Sequence, residues 1–460
     1  MKKLFLIFAT FFGTILLAET PMAQIAPGER IVFFGDSITH GGGYIFYIQM
    51  FEDLRYQGSG TVMMNAGISG DTAGGGCRRW DYEVLPMNPD RVFVMFGMND
   101  VGISFYKTAE PTEEEHKKRQ NNLTNYANNQ KRLAEMILKD GKKLVLMTPT
   151  AYDQYGDVKA DNKVAANEPG LAACAEIVRK LAQEKNLGLV ELYEPYTAQL
   201  KAHPEFHLCG QDRVHPQGVG HLLMAALILE ATGERGLVAE VEADVTSKEV
   251  DNKNHIDFVS KNATISDVTV PESTAKGFSF KYAPKALPFP CVSEYETVEK
   301  LHPITEKLNR EIIRVKGLPK GSYLLKANGA EIATATNEEL AKGVNIAIWA
   351  TPSQKKALEA AAVMRKLHNA ARQLRSVPYM NTIVLSRKGN LDNMEECFQV
   401  LDKWLEEKVN ASNYAYFKHQ VKNYKELRPV MAEKQHEIDA LRKALAAFAP
   451  EPFVIAVEAK

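Results

Sequence analysis

Cysteine is scarce in this sequence, and its spacing fits none of the usual cysteine-based structural devices. The five cysteines, Cys77, Cys174, Cys209, Cys291 and Cys397, are widely scattered and form no C-x-x-C pair. This argues against a cysteine-based zinc site and against a disulfide framework. An odd number leaves at least one free thiol, and the sequence does not show whether any of the others pair. We interpret Cys209 as a small buried hydrophobic side chain.

The sequence also has no marked excess of charge of either sign. The 56 basic and 57 acidic side chains give a formal net charge of -1, so the composition indicates neither a nucleic-acid surface nor an anionic-membrane surface. Hydrophobic residues at 45% and charged residues at 25% are typical of globular proteins, so no disordered region is indicated. A length of 460 residues predicts two or three folded units.

A long apolar run occurs at the N-terminus, where two lysines precede the segment Leu4–Ala18. This layout is typical of a secretory signal peptide, and the run is too short and poorly flanked for a membrane span. We expect a signal peptide over residues 1–23, cleaved near Ala18 or Ala23, and a periplasmic or extracellular protein. An uncleaved inner-membrane anchor is the alternative. No cysteine follows the run to accept a lipid.

Residues 24–236 are predicted to form an α/β domain. Amphipathic segments with helical periodicity, such as Glu113–Lys139 and Leu171–Lys185, alternate with short apolar runs. The runs that indicate buried strands are Ile31–Phe34, Thr61–Met64, Arg91–Phe96, Lys143–Met147 and Leu187–Leu192. This alternation predicts a parallel sheet with helices on both faces and right-handed crossovers.

The rest of the chain has a different pattern. Short alternating stretches separated by glycine, proline and asparagine predict a small antiparallel β-rich region at 237–350. Residues 351–460 are predicted to be a helical C-terminal region, with apolar stripes that indicate packing faces. Neither part contains a recognisable catalytic motif. We expect this half to pack on the first domain, because no Gly-, Pro- or Ser-rich linker precedes it; a separate module is the alternative.

The first segment that could carry chemistry follows the first predicted strand. The segment Gly35–Thr39 (GDSIT) places Ser37 at the strand end, and His40 and three glycines then precede a helical run that starts near Tyr44. A serine just past the carboxyl end of a parallel strand lies where open α/β sheets bind ligands. Taken alone, the same serine is also typical of a helix N-cap.

Two further loops leave the same edge of the predicted sheet. The second strand runs into Asn65–Thr72 (NAGISGDT), and the third into Gly97–Asp100 (GMND). Acyl transfer needs donors aimed at the developing oxyanion, and a glycine backbone N–H with an asparagine amide would supply two of them. The Ser37 N–H could be a third. Taken alone, each loop is better interpreted as ordinary turn chemistry, with the glycines in tight turns and Asn99 as a turn or cap residue.

The last segment is Asp212–Pro216 (DRVHP), just before a helical run over Gly218–Ala231. A nucleophilic serine needs a base, and the base needs an acceptor on its second ring nitrogen. Asp212 and His215 are three residues apart on one turn and can meet directly. A lone D-x-x-H pair is also found in surface turns.

The order, spacing and strand-end location of these segments agree with one another. Together they resemble the SGNH hydrolases, also called the GDSL family, which are named after blocks containing Ser, Gly, Asn and His. On this resemblance, Ser37 of VFFGDSIT is the nucleophile, and Gly70 of NAGISGDT and Asn99 of GMND are oxyanion donors. The DRVHP block supplies the acid Asp212 and the base His215.

The resemblance covers residues 30–236, less than half of the chain. It implies a flavodoxin-like three-layer α/β/α domain with a Ser37, Asp212 and His215 triad, no metal or other cofactor, and hydrolysis through a covalent acyl-enzyme. A histidine near its ordinary pKa of about 6.5 must be neutral to act as a base, so activity should rise through about pH 6 to 7. Asp36, Asp71 and Asp100 are interpreted as loop-shaping acceptors, with direct catalysis as the alternative.

Membership of this family does not determine which ester is the substrate. Predicted export, the lack of an apolar lid segment, and a large appended region that could shape a cleft all favour removal of O-acetyl groups from a carbohydrate. Long proteins of this layout also resemble esterases of polysaccharide-degrading bacteria. We therefore expect an acylated small-molecule or glycan substrate, no nucleic-acid partner and no stable membrane insertion after signal cleavage; the oligomeric state stays open. The alternatives are a lysophospholipase or thioesterase, and a glycan-binding protein with a vestigial triad.

Overall fold

The computed structural model describes residues 22, 24–107, 110–157, 164–234, 236–246, 255–271, 273–411 and 413–460. Apart from Met22, the predicted signal peptide lies outside these residues. No helix in the described part of the chain has the length and apolar character that crossing a membrane requires.

A parallel sheet of five strands forms the centre of the first domain. The strands are β1 (Arg30–Gly35), β2 (Val62–Gly67), β3 (Arg91–Met95), β4 (Lys143–Met147) and β5 (Gly188–Val190). Their order is β2-β1-β3-β4-β5, with every neighbouring pair parallel. β1, β3 and β4 are almost entirely buried, which explains why they are continuous apolar runs in the sequence.

Helices connect these strands and flank the sheet. They are α1 (Ser37–Gly41), α2 (Gly43–Arg55), α3 (Ala73–Arg79), α4 (Glu113–Lys139), α5 (Ala172–Lys185), α6 (Tyr193–Ala202) and α7 (Gly218–Ala231). Single helical turns occur at Trp80–Val84, Leu85–Met87, Ile103–Tyr106, Asn167–Leu171 and Pro204–Phe206. Helix α2 packs against α7, while α4 packs against α3 and α5. The predicted α/β architecture is confirmed.

Two smaller sheets follow. Their strands are β6 (Leu237–Asp244), β7 (Asp257–Lys261), β8 (Ala263–Thr269), β9 (Gly277–Pro284), β10 (Arg310–Lys316), β11 (Ser322–Ala327), β12 (Ala330–Thr336), β13 (Val344–Asn345) and β14 (Phe453–Ala459). One sheet has the order β13-β10-β6-β7 and the other β12-β11-β14-β9-β8. Buried side chains of both sheets share one core, so the sheets pack as a sandwich.

The helices of this half lie between and after the strands. They are α8 (Tyr295–Leu301), α9 (Ile304–Leu308), α10 (Asn337–Lys342), α11 (Pro352–Leu374), α12 (Ser376–Ser386), α13 (Met394–Glu407), α14 (Tyr414–Leu427) and α15 (Met431–Ala444), followed by a turn at Leu445–Phe448. Four buried residues of α11 belong to the same hydrophobic core as the first domain: Ala357, Ala360, Ala361 and Met364. Helix α11 contacts α2 directly. The second half therefore packs on the first domain.

The β region differs from its predicted antiparallel form in one pair, because β6 and β10 are parallel. A parallel pair needs a long crossover, and the chain between them supplies β7, β8, β9, α8 and α9. The last strand, β14, was expected to be part of the helical region. Its side chains alternate between inward Phe453, Ile455 and Val457 and more exposed neighbours, which is a strand pattern.

Candidate active site

Ser37 lies where the first strand ends and α1 begins. Asp36 is the N-cap of α1, and its side chain accepts a hydrogen bond from the Ile38 backbone N–H at 3.0 Å. Ser37 is therefore the first helical residue, and its N–H has no acceptor within the helix. Gly35 permits this tight turn, since a Cβ there would lie 2.4 Å from Thr39 Oγ1 and 2.5 Å from the Met95 carbonyl oxygen.

The structure brings Ser37, His215 and Asp212 into direct contact. His215 Nε2 lies 2.7 Å from Ser37 Oγ, and His215 Nδ1 lies 2.7 Å from Asp212 Oδ2. The other carboxylate oxygen, Asp212 Oδ1, accepts the backbone N–H groups of Val214 at 3.0 Å and His215 at 2.9 Å. The side chains of His215 and Asp212 are 44% and 54% exposed, so an external molecule can reach the imidazole.

A buried arginine holds the loop that carries this pair. Arg213 is 1% exposed and has a positive φ of 64°. Its Nη1 donates to the carbonyl oxygens of Asp153 at 2.9 Å and Gly156 at 2.7 Å, and the Asp153 N–H donates to the Arg213 carbonyl at 2.8 Å. In the sequence, Arg213 lies between Asp212 and His215 and was assigned no role. A positively charged side chain one residue from a candidate acid was the signal available.

The contact between Asp212 and His215 shifts the pKa values of both side chains. Partial burial opposes ionisation of Asp212, but hydrogen bonds from the His215 ring and from the His215 and Val214 backbones lower the pKa of Asp212 to about 2. The hydrogen bond to Asp212 raises the pKa of His215 above its usual value, against the opposing effect of burial. The imidazole is thereby suited to accept a proton from a bound hydroxyl group.

The predicted oxyanion donors lie on the loops after β1, β2 and β3. Gly70 adopts a positive φ of 77° and is exposed, and its N–H donates to no group among the described residues. Asn99 Nδ2 donates to the Asp71 carbonyl oxygen at 2.8 Å, which orients the amide and leaves its second hydrogen available. With the Ser37 N–H, the three donors occupy the same edge of the sheet. Their role stays a prediction.

The three other acidic residues of the motifs make structural hydrogen bonds. Asp36 accepts from Ile38 N, Asp71 accepts from Arg79 Nε at 2.7 Å, and Asp100 Oδ1 accepts from the Ala73 N–H at 3.0 Å. Burial raises the pKa values of Asp36 and Asp100 to about 7. These contacts agree with the loop-shaping interpretation.

Arg79 ties the ends of two strands together beneath the site. Its guanidinium donates to the carbonyl oxygens of Gly35 at 2.9 Å and Ala66 at 2.7 Å and pairs with Asp71 and Glu83. The guanidinium also stacks over the Phe34 ring at 4.4 Å. Sequence reasoning missed Arg79 and Glu83, because their spacing of four on a helical segment is also typical of a surface ion pair.

The cysteines and acidic residues in the described part of the chain form neither a disulfide nor a metal-binding cluster. All five cysteines are free thiols, and Cys209 is buried as expected. No group of three or more His, Cys, Asp or Glu side chains among the described residues is arranged to hold a metal ion. A cavity of about 610 Å³ lies between α2, α11 and α15, and none of the candidate catalytic residues lines it.

Residues 33–223 match the GDSL-like Lipase/Acylhydrolase family. An acetylxylan esterase from Geobacillus stearothermophilus is 28% identical over 232 residues, which cover 46% of this chain and 96% of that protein. A solved structure described as a gut microbial diltiazem-metabolizing enzyme is 25% identical, with a TM-score of 0.80 over 96% of this chain and 99% of that one. Its likeness therefore extends through the β-rich and helical regions.

These findings and the α/β fold place the first domain of this chain in the SGNH/GDSL hydrolase family. The protein is an ester hydrolase. The resemblance stated from the four sequence blocks is confirmed at the level of the family.

Proposed function

We propose that this protein is a serine carbohydrate esterase that removes O-acetyl groups through a covalent acyl-enzyme on Ser37. The observation that carries the proposal is the unbroken set of contacts from Ser37 Oγ to His215 and from His215 to Asp212, each 2.7 Å long. A nucleophile, a base and an oriented acceptor at these distances are the parts that acyl transfer needs.

In the acylation step, Ser37 Oγ attacks the ester carbonyl carbon while His215 Nε2 takes the hydroxyl proton. The negative charge that develops on the carbonyl oxygen is stabilised by the Gly70 N–H, the Asn99 amide and the Ser37 N–H. The C–O bond to the alcohol then breaks, and His215 returns the proton to the leaving alkoxide. Asp212 holds the imidazole in the required tautomer and stabilises its charged form.

In the deacylation step, water takes the place of the alcohol. His215 removes a proton from the water, the resulting oxygen attacks the acyl carbon, and the bond to Ser37 Oγ breaks. The serine recovers its proton from His215, and the acid product leaves. The same donors stabilise the second oxyanion, so loss of a donor slows both steps.

The acetyl-carbohydrate substrate is supported by the relative from Geobacillus stearothermophilus, which is an acetylxylan esterase. The exposure of His215 and Asp212 also suits a large substrate, because a polymer can reach an open site but not a deep pocket. A second candidate is hydrolysis of small non-carbohydrate esters. It is favoured by the whole-chain likeness to the diltiazem-metabolizing enzyme.

The two candidates differ in what the purified protein hydrolyses. Acetate release from acetylated xylan and acetylated oligosaccharides should be compared with turnover of p-nitrophenyl esters from acetate to palmitate, with Ser37→Ala as the matched control. The proposal expects acetate release from the glycan and a steep loss of rate as the acyl chain lengthens. A preference for long acyl chains would support a lipid ester hydrolase, and glycan binding without turnover would support a vestigial triad.

We further propose that the protein acts in the periplasm or outside the cell. Support comes from the two lysines and the apolar run Leu4–Ala18 at the N-terminus. The N-terminal sequence of the protein recovered from periplasmic and culture fractions tests this directly. A mature chain starting near residue 19 or 24 is expected, whereas an intact Met1 in the membrane fraction would indicate an uncleaved anchor.

A further inference from the structure

The loop that presents Gly70 makes extensive contacts outside the first domain. This segment, the Gly67–Asp71 loop, begins at the last residue of β2 and packs closely on α1, the helix that begins with Ser37. A Cβ at Gly67 would lie 2.1 Å from the His40 backbone nitrogen, so the two backbones are in direct contact. Gly70 is part of this loop, so the position of its N–H relative to Ser37 depends on how the loop is held.

Arg375, between α11 and α12, holds the start of the loop. Its Nη2 donates to the Gly67 carbonyl oxygen at 2.7 Å and to Glu83 Oε1 at 2.8 Å. The other oxygen of Glu83, Oε2, accepts a hydrogen bond from Arg79 Nη1 at 3.0 Å. Both arginines and Glu83 are buried, so the bonds are shielded from water and hold a defined geometry.

The middle of the loop belongs to the core of the helical region. Ile68 is 3% exposed, and its side chain is part of a hydrophobic cluster made otherwise of residues from α12, α13 and α14. Val377, Met380 and Tyr424 are among them. Ile68 thus fixes the loop to the second half of the chain by packing rather than by hydrogen bonding.

Ser69, the residue directly before Gly70, is held from two sides. The Tyr416 hydroxyl of α14 donates to Ser69 Oγ at 2.7 Å. The Ser69 N–H donates to His40 Nδ1 at 3.3 Å, and the His40 ring lies edge-on to Tyr379 of α12 with centroids 6.0 Å apart. Burial, with nearby Arg375, lowers the pKa of His40 to about 3, so its Nδ1 stays available as an acceptor.

We propose that Arg375 and Tyr416 are positioning residues for acyl transfer: through the Gly67–Asp71 loop, the helical C-terminal region sets the Gly70 N–H at the distance from Ser37 that oxyanion stabilisation requires. The inference rests on the proposed acyl-enzyme function. It assigns the second half of the chain a part in the reaction, although none of its residues touches the substrate in this role. A displacement of about 1 Å in the position of such a donor lowers the rate by up to about 100-fold.

Tyr416→Phe is the most discriminating variant, because it removes one hydroxyl and keeps the ring that packs beside Tyr379 and Phe417. Tyr414→Phe removes a hydroxyl from the same helix and is the matched control. We expect Tyr416→Phe to lower kcat for p-nitrophenyl acetate roughly 3- to 10-fold with little change in KM, and Arg375→Lys to lower it roughly 10- to 100-fold. Tyr414→Phe should behave as wild type.

A boronic acid, which forms a tetrahedral adduct with a catalytic serine, supplies a readout that a purely structural role would not change. Its inhibition constant should rise in Tyr416→Phe by about the factor by which kcat/KM falls, with an unchanged thermal midpoint. Ser69→Ala should reproduce the loss, and the double variant with Tyr416→Phe should lose little more.

The outcomes separate this inference from the proposed function. If Ser37→Ala retained activity, the proposed function itself would be wrong. If Ser37→Ala were inactive while Tyr416→Phe kept the wild-type kcat and inhibition constant, only the positioning role would be refuted. Should Arg375→Lys fail to fold, the Tyr416 and Ser69 variants decide the question alone.

Discussion

Replacing Asp212 by asparagine tests whether its two oxygens have separate tasks. Oδ1 accepts two backbone N–H groups, from Val214 and His215, while Oδ2 faces His215 Nδ1. If the asparagine Oδ1 keeps both backbone hydrogen bonds, the side-chain NH₂ group takes the place of Oδ2 and faces His215 Nδ1. That nitrogen must then accept a hydrogen bond, so the imidazole proton moves to Nε2, which faces Ser37 Oγ. A protonated Nε2 cannot take the serine proton.

We expect Asp212→Asn to lose roughly 10⁴-fold in kcat, which corresponds to about 5 kcal/mol of transition-state stabilisation. The free energy of unfolding should change much less, because both backbone hydrogen bonds remain. Turnover of p-nitrophenyl acetate at about pH 8 and a thermal melt measure the two quantities.

The matched control is Asp257→Asn in β7. Asp257 Oδ1 lies 3.0 Å from His255 Nε2 on the surface, so the chemical change is the same in a histidine–aspartate pair outside the site. This variant should keep full activity. If Asp212→Asn kept more than about a tenth of the wild-type kcat while folded, the assignment of Asp212 to His215 as orienting acid would be refuted.

Four further outcomes are expected. Asn99→Ala should lower kcat roughly 100- to 1,000-fold, and full activity would remove Asn99 from the oxyanion hole. Because Asp212 raises the pKa of His215, the acid limb of the kcat/KM profile should have its midpoint above about 6.5; a lower midpoint would contradict the role of His215 as base. Burial raises the pKa of Glu311 to about 7, so the folded state holds a proton that the unfolded state has lost, and its stability falls as pH rises from about 4.5 to 7. Glu311→Gln should therefore raise the thermal midpoint more at about pH 8 than at about pH 4.5, and an equal shift at both would be inconsistent with this. A chain ending at Gly236 should aggregate and lack esterase activity, because the apolar faces of α2 and α7 that the second half covers would become exposed. A soluble, active fragment would refute this dependence of the first domain on the second half.

The first domain could be predicted closely from the sequence because local patterns dominate there. Lys143–Met147, Glu113–Lys139 and Gly218–Ala231 have in the structure the bounds expected from their periodicity. Buried parallel strands are continuous apolar runs, and amphipathic helices between them repeat every 3.6 residues. Once the strands are parallel, the loops that carry Ser37, Gly70 and Asn99 leave the same edge of the sheet. The segment that carries His215 does not directly follow a strand of this sheet, so its position beside Ser37 was expected from the family resemblance and not from topology.

The supporting residues of the site could not be predicted, because their partners are distant in sequence. Arg375 reaches a carbonyl oxygen 308 residues away, and Tyr416 reaches a serine 347 residues away. Neither residue belongs to a motif, and a lone arginine or tyrosine on a helix is most simply interpreted as a surface or packing residue. The acceptor of Arg375 is the backbone carbonyl oxygen of Gly67, and the amino-acid sequence does not indicate which backbone carbonyl accepts a side-chain hydrogen bond.

The position of β14 explains why the helical region cannot act as an independent appendage. This strand lies between β9 and β11, so the chain leaves the sandwich after β13, builds five helices, and returns to the centre of a sheet. The helices are therefore anchored to the sandwich at both ends, while α11 packs on α2 and Arg375 bonds to Gly67. A region held at so many points can place a loop with the precision that an oxyanion donor needs, and a module on a flexible linker could not.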